Sequence, residues 1–152
     1  MRTLGPIALL LLAVAAPAAT QPAPPSTAAA FDHVAIHVAD AARSVAFYRA
    51  LFDLQEVPAP VPMARWLRFG DGTTLHIIPG RPEPVALGKW DHIALACADM
   101  GAMIRRLDAH KIAWEDIGGR HTPQTRGDGV QQIFVRDPDG YWIEINDRLK
   151  QR

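Results

Sequence analysis

The sequence predicts an α+β fold made of two copies of one module, and three observations carry that reading. Residues 31–40, FDHVAIHVAD, recur as residues 90–99, WDHIALACAD, at an offset of 90 − 31 = 59, with 5 of the 10 paired positions identical. Residues 71–77, DGTTLHI, are echoed by residues 139–145, DGYWIEI, at an offset of 139 − 71 = 68, so the second copy holds 68 − 59 = 9 more residues. Each copy also runs in the same order: a strand, a helical stripe, then strands around a glycine turn. A module of roughly 55 residues makes a poor core alone, and pairing gives each sheet a partner.

With 152 residues the chain is too short for two ordinary domains and long enough for one with a real core. It is 49% apolar and 21% charged, the balance of an ordinary globular protein. Its 16 basic and 16 acidic residues cancel, which removes the electrostatic footprint of a nucleic-acid or membrane-surface partner. The single cysteine, Cys97, excludes an internal disulfide and a cysteine-rich metal site.

Residues 1–20 read as a signal peptide rather than as part of the fold. Arg2 gives a basic start, residues 7–16 an apolar run, and Ala16-Pro17-Ala18 a small-residue site, with cleavage expected near residues 18–20. The apolar run is shorter than the roughly 20 residues that a membrane span needs. The expectation is an exported protein, periplasmic or secreted, with no stable membrane insertion after cleavage. Residues 21–30, QPAPPSTAAA, read as a Pro/Ala tether. Removing Arg2 with the signal leaves a net charge of 15 − 16 = −1. The domain itself then spans 31–147, with modules at 31–78 and 90–147.

In the first module, residues 31–39 alternate with period two: His33, Ala35 and His37 fall on one face, Val34, Ile36 and Val38 on the other. Asp40 is placed to cap a helix whose buried stripe is Val45, Tyr48, Leu51 and Phe52. Pro58, Pro60 and Pro62 open a loop, and strands at 63–69 and 73–78 flank a turn at Gly70-Asp71-Gly72. Residues 79–88 read as a linker. In the second module, residues 91–98 form the strand, Asp99 caps a helix to about His110, and residues 112–116 form a short strand. Residues 118–129 read as a polar, mobile loop. The last hairpin, 130–135 and 141–146, turns at Asp137-Pro138-Asp139-Gly140.

Strand parity assembles the candidate chemistry. Trp142, Glu144 and Asn146 share one face of the last strand, and Thr74, His76 and Ile78 share the equivalent face of its echo. His33 and His92 occupy matching places on the opening strands, each beside alanines that leave room for a cavity. A carboxylate in the run WIEI needs a partner to avoid a large burial cost. His33, His76, His92 and Glu144 are therefore expected to converge, two from each half, on one divalent transition metal such as Zn, Fe, Ni, Mn or Co. Asp32 and Asp91 fall on the opposite strand face and are not counted as ligands. His37, Trp142 and Asn146 are candidate substrate contacts, as are Arg65 and Arg68 from the third strand for an anionic group, one of which should face solvent. Phe47, Tyr48, Trp66, Trp114 and Cys97 read as core, and His110 and His121 as exposed.

The segments DHVAIHVAD, SVAFYRALFDL, DHIALACAD and VRDPDGYWIEI resemble the vicinal oxygen chelate superfamily, which includes glyoxalase I, methylmalonyl-CoA epimerase, fosfomycin-resistance proteins, extradiol dioxygenases and bleomycin-resistance proteins. The resemblance covers residues 31–147. It implies paired βαβββ modules forming a cupped, mostly antiparallel sheet around a metal-binding cleft, with the helices outside and ligands on the first and last strands of each module. His33, His92 and Glu144 match the ligand positions; His76 stands where glyoxalases and epimerases carry a carboxylate or glutamine. The resemblance also implies a homodimer and a small-molecule substrate.

Three activities suit this site. The first is a glyoxalase-like lyase or isomerase, in which the metal binds two substrate oxygens, stabilises an enediolate or oxyanion, and leaves Glu144 or His76 as the base. The second is an iron-dependent extradiol-type dioxygenase using His33, His92 and Glu144, against which a fourth ligand at His76 counts by crowding the open positions. The third is a non-catalytic small-molecule-binding protein, which has no need of the ligand set.

Overall fold

The computed structural model describes residues 29–151. The expected signal peptide and residues 21–28 of the tether lie outside the described residues. Residues Phe31–Arg152 form one compact unit, and among the described residues no helix is long and apolar enough to cross a membrane.

The first module runs β1 (His33–Val38), α1 (Ala41–Phe52), β2 (Gln55–Val57), β3 (Arg65–Arg68) and β4 (Thr74–Pro79), and its sheet has the order β1-β4-β3-β2. The second runs β5 (His92–Ala96), α2 (Met100–Ala109), β6 (Trp114–Glu115), β7 (Gln124–Thr125), β8 (Gln131–Arg136) and β9 (Trp142–Asn146), in the order β5-β9-β8-β6 with β7 on β8. In each module the first strand pairs in parallel with the last, and every other pairing is antiparallel. Two short strands went unforeseen. β2 is only 3 residues long, and β7 sits inside the segment expected to be a mobile loop.

Both helices start where a carboxylate can satisfy their first free N–H groups. Asp40 accepts from the N–H of Ala42 and Arg43 on α1, and Asp99 from that of Ala102 on α2. Helix α1 buries Ser44, Val45, Tyr48 and Leu51; Phe52, expected in that stripe, is half-buried against the core. The apolar faces of both sheets and both helices meet in one core. Ile36, Val38, Leu67, Leu75 and Ile77 from the first sheet join Ile133, Val135, Ile143 and Ile145 from the second. A Leu→Ala change at Leu75 is expected to cost about 2–5 kcal/mol, as for other buried leucines.

The modules are also tied by polar contacts from the β8–β9 turn. Asp139 accepts from the Ala39 N–H at 2.7 Å and the Ser44 hydroxyl at 3.1 Å, and Tyr48 donates its hydroxyl to Asp137 at 3.0 Å. Burial, and then the Asp137 charge, pushes the Tyr48 phenol well above its ordinary range, so it stays a donor. Gly140 is required twice over. Its φ is +95°, and a Cβ there would meet the Val85 carbonyl oxygen at 2.7 Å, where the linker crosses the turn.

Candidate metal centre

The polar face of the first sheet carries His33, Ala35 and His37 on β1, Thr74 and His76 on β4, and Trp66 and Arg68 on β3. Register places Ala35 on one side of His76 and Trp66 on the other. The three rings stack in series: Trp66 lies 3.8 Å from His76 at 7°, and His33 lies 4.0 Å from His76 at 11°. His33 Nδ1 is 2.6 Å from an Asp32 carboxylate oxygen. The ring therefore holds its proton on Nδ1 and presents Nε2 as a lone pair, the way a carboxylate orients a metal-binding histidine. His76 Nε2 is 2.8 Å from the Thr74 hydroxyl. Burial, reinforced by the neighbouring His33 and partly offset by Asp32, lowers the His76 pKa below the ordinary imidazole value.

The second sheet carries His92 on β5 beside Trp142 on β9, then Ala94 beside Glu144, with Phe134 of β8 on the far side of Glu144. Glu144 is 5% exposed, and both oxygens of its carboxylate have a protein neighbour. One oxygen accepts from Asn146 Nδ2 at 2.8 Å and from Arg126 Nη1 at 3.2 Å; the other lies 3.2 Å from His92 Nε2. His92 Nδ1 is 2.6 Å from the Lys89 carbonyl, which only accepts, so Nδ1 carries the proton. In the neutral ring that leaves the Nε2 lone pair aimed at a carboxylate oxygen, a contact that a cation, whether a proton or a metal ion, relieves. Two donors on one ion at the usual Zn–N and Zn–O lengths stand about 3.0 Å apart in octahedral and about 3.4 Å in tetrahedral geometry, so the observed gap of 3.2 Å fits a shared divalent ion. The oxygen and imidazole donors present suit the transition metals rather than calcium.

The four expected ligands do not meet in one cluster. Among the described residues no group of three or more His, Cys, Asp or Glu side chains is placed to hold a single ion. The structure yields two pairs, His33 with His76 and His92 with Glu144, and the expectation of one four-ligand site within the chain is corrected accordingly. The reason lies in the packing. Both sheets turn their apolar faces into the common core, so their polar faces look outward from it, and β1 and β5 are both sheet edges.

Other expectations divide. Trp142 and Asn146 are buried on the Glu144 face as read, and Trp142 donates Nε1–H to the Leu87 carbonyl. His37 is exposed on the His33 face, its backbone bonded to the Tyr141 hydroxyl. Arg68 shares the His76 face, whereas Arg65 is corrected: it lies opposite, pairing across the strands with Ile77 and bonding Glu56 through two nitrogens at 2.6 Å. Trp66, read as core, stands half-buried on the polar face. Three positioning groups were missed: Asp32, Trp66 and Arg126. The doubled Asp-His dipeptide pointed to Asp32, yet the halves differ, because His92 turns to the Lys89 carbonyl instead of to Asp91. Arg126, in the segment read as a mobile loop, is anchored by Asp128, whose carboxyl its hydrogen bond holds down at about 2. Expectations for Tyr48, Trp114, His110 and His121 agree with their burial.

The model of the Glyoxalase/Bleomycin resistance protein/Dioxygenase superfamily matches residues 30–145. The chain belongs to that superfamily. It is 29% identical over 124 residues to "Glyoxylase I 4" of Arabidopsis thaliana, covering 75% of this chain and 68% of that protein. Among solved structures it resembles the lactoylglutathione lyase of Agrobacterium tumefaciens, with a TM-score of 0.59 and 19% identity over 80% of this chain and 95% of the other. It also resembles a variant of the fosfomycin resistance protein FosX from Listeria monocytogenes, complexed with Mn(II) and a dihydroxypropylphosphonic acid, with a TM-score of 0.65 and 18% identity over 82% and 98%. At these identities the solved structures establish the fold alone.

Proposed function

We propose that the protein is an exported, divalent-metal-dependent lyase or isomerase of the glyoxalase-like kind, whose metal centre is completed by a second copy of the chain. The observation that carries this is the His92–Glu144 pair: a proton-bearing Nδ1 fixed on the Lys89 carbonyl, and a bare Nε2 facing a buried carboxylate at 3.2 Å. His92 and Glu144 of one copy would hold the ion together with His33 and His76 of the other. The structure of the similarly folded FosX variant in complex with Mn(II) and a dihydroxypropylphosphonic acid supports a divalent ion and a small dihydroxy ligand in such a fold. Export rests on residues 2–20 of the sequence.

A bound divalent ion supplies Lewis acidity toward two oxygens of a small substrate. The protein's own groups then move the proton. Glu144 Oε2, the oxygen facing His92, would accept a proton from the carbon beside a substrate carbonyl when it is not holding the ion, while Arg126 and Asn146 hold Oε1 and fix the carboxylate plane. His76, kept neutral by its lowered pKa, offers a second acceptor at neutral pH.

Elemental analysis of purified protein tests the reading: about one divalent metal per chain is expected, and an intrinsically metal-free protein contradicts it. N-terminal sequencing of the exported form is expected to begin near residues 19–21, and an intact Met1 contradicts export.

A further inference from the structure

The polar face of the second sheet continues beyond Glu144 into a hollow of about 380 Å³. Register lays its floor in rows: His92–Trp142–Arg136 across one level, and Ala94–Glu144–Phe134–Glu115 across the next. Trp142 and Phe134, the cross-strand neighbours of His92 and Glu144, line the hollow at its near end, and it runs from them toward β6. Its apolar lining comes from Ile112, Trp114, Phe134 and Trp142, and its charged lining from Lys111, Arg136 and Glu115.

The charges do not cancel. Glu115 is taken by Lys89 at 2.6 Å, while neither Lys111 nor Arg136 makes an ion pair among the described residues. The Arg136 guanidinium instead lies 4.4 Å from the centre of the Trp142 ring. Stacking on an indole holds the planar fork in place and leaves its N–H groups for a ligand, the arrangement in which arginine binds oxyanions with two parallel hydrogen bonds. An apolar trough with two exposed cations at its rim, neither in an ion pair among the described residues, favours an apolar anion over its neutral counterpart.

We propose that this hollow binds the distal part of the substrate, and that the substrate is a small, flat molecule with a terminal oxyanion. The oxyanion sits on Arg136 and Lys111, the apolar body against Trp142 and Phe134, and the vicinal oxygens reach back to the His92–Glu144 pair. This rests on the reading of that pair as the oxygen-binding centre, although the anion site itself does not depend on the metal.

The probe is 3,4-dihydroxybenzoate against its methyl ester, titrated by calorimetry into the full protein at fixed salt, with and without Zn(II). The acid is expected to bind at least tenfold more tightly than the ester in both states. Arg136→Gln is expected to cut that ratio several-fold, Arg136→Lys to restore part of it, and Lys111→Gln to reduce it on its own. Equal binding of acid and ester, no binding of either, or a ratio untouched by both Gln variants would overturn the proposal. The corresponding phosphonate, titrated against its own ester, decides which oxyanion is preferred. An acid preference that persists while Zn(II) leaves affinity unchanged would sink the metal reading and leave the anion site standing.

Discussion

The two halves of the molecule fold alike and present their donors differently. The first sheet stacks two imidazoles face to face against Trp66 on an open surface, with one proton position fixed by a single carboxylate, Asp32. The second buries a carboxylate against an imidazole and binds it from three directions, through Arg126, Asn146 and His92. Duplication therefore preserved the places of these side chains and let their support diverge. One half presents a buried carboxylate held by three groups, and the other presents two stacked imidazoles on an open surface.

The largest effect should follow from breaking the His92–Glu144 pair. Glu144→Ala or His92→Ala is expected to abolish metal retention, reducing metal per chain from about one to near zero with the circular dichroism of the fold preserved; unchanged metal would remove that residue from the centre. What the halves share should be sensitive in another way. Gly140→Ala places a side chain at positive φ against the Val85 carbonyl and is expected to cost about 2 kcal/mol or more, read as a lower urea midpoint. Support should matter more on the second sheet than on the first. Arg126→Ala is expected to weaken metal binding about 10- to 100-fold, the usual cost of losing a group that orients a ligand, whereas Trp66→Leu should weaken it less than Arg126→Ala does. Equal losses would erase the distinction between the halves.

The smallest effect is the pH response, and it separates the halves as well. Burial lowers the His76 pKa, so the folded chain binds fewer protons there than the unfolded chain does. This contribution to stability is complete above the unfolded imidazole value, roughly 6.5, and is lost as the pH falls from there toward the folded value. Replacing His76 by Asn should flatten that part of the stability curve. The Arg126 anchor should persist to far lower pH, since Asp128 stays ionised down to about 2.

Much of this was legible in the sequence because period-two parity and a 59-residue echo are local properties. They located both capped helices and both hairpins, and they placed His33 and His76 on one face of the first sheet and His92 and Glu144 on one face of the second. They also put Trp142 and Asn146 on the same face as Glu144. Parity assigns a residue to one face of its own sheet but says nothing about how two sheets pack, so the separation of the four donors into two pairs was not readable. Arg65 and Trp66 were misplaced for want of the β3 register, which depends on a strand of only 4 residues. Arg126 lies outside any periodic segment. Its role comes from β7 pairing with β8, a contact set by tertiary structure rather than by propensity.

The central claim is that the two unlike pairs meet only across two chains, and subunit mixing addresses it directly. One variant carries His33→Ala with His76→Ala, and the other carries His92→Ala with Glu144→Ala. Each alone should bind no metal, while unfolding and refolding them together should produce heterodimers holding one ion per two chains, from the intact pair of each. A mixture that stays metal-free while wild type treated identically regains one ion per chain would contradict the shared centre.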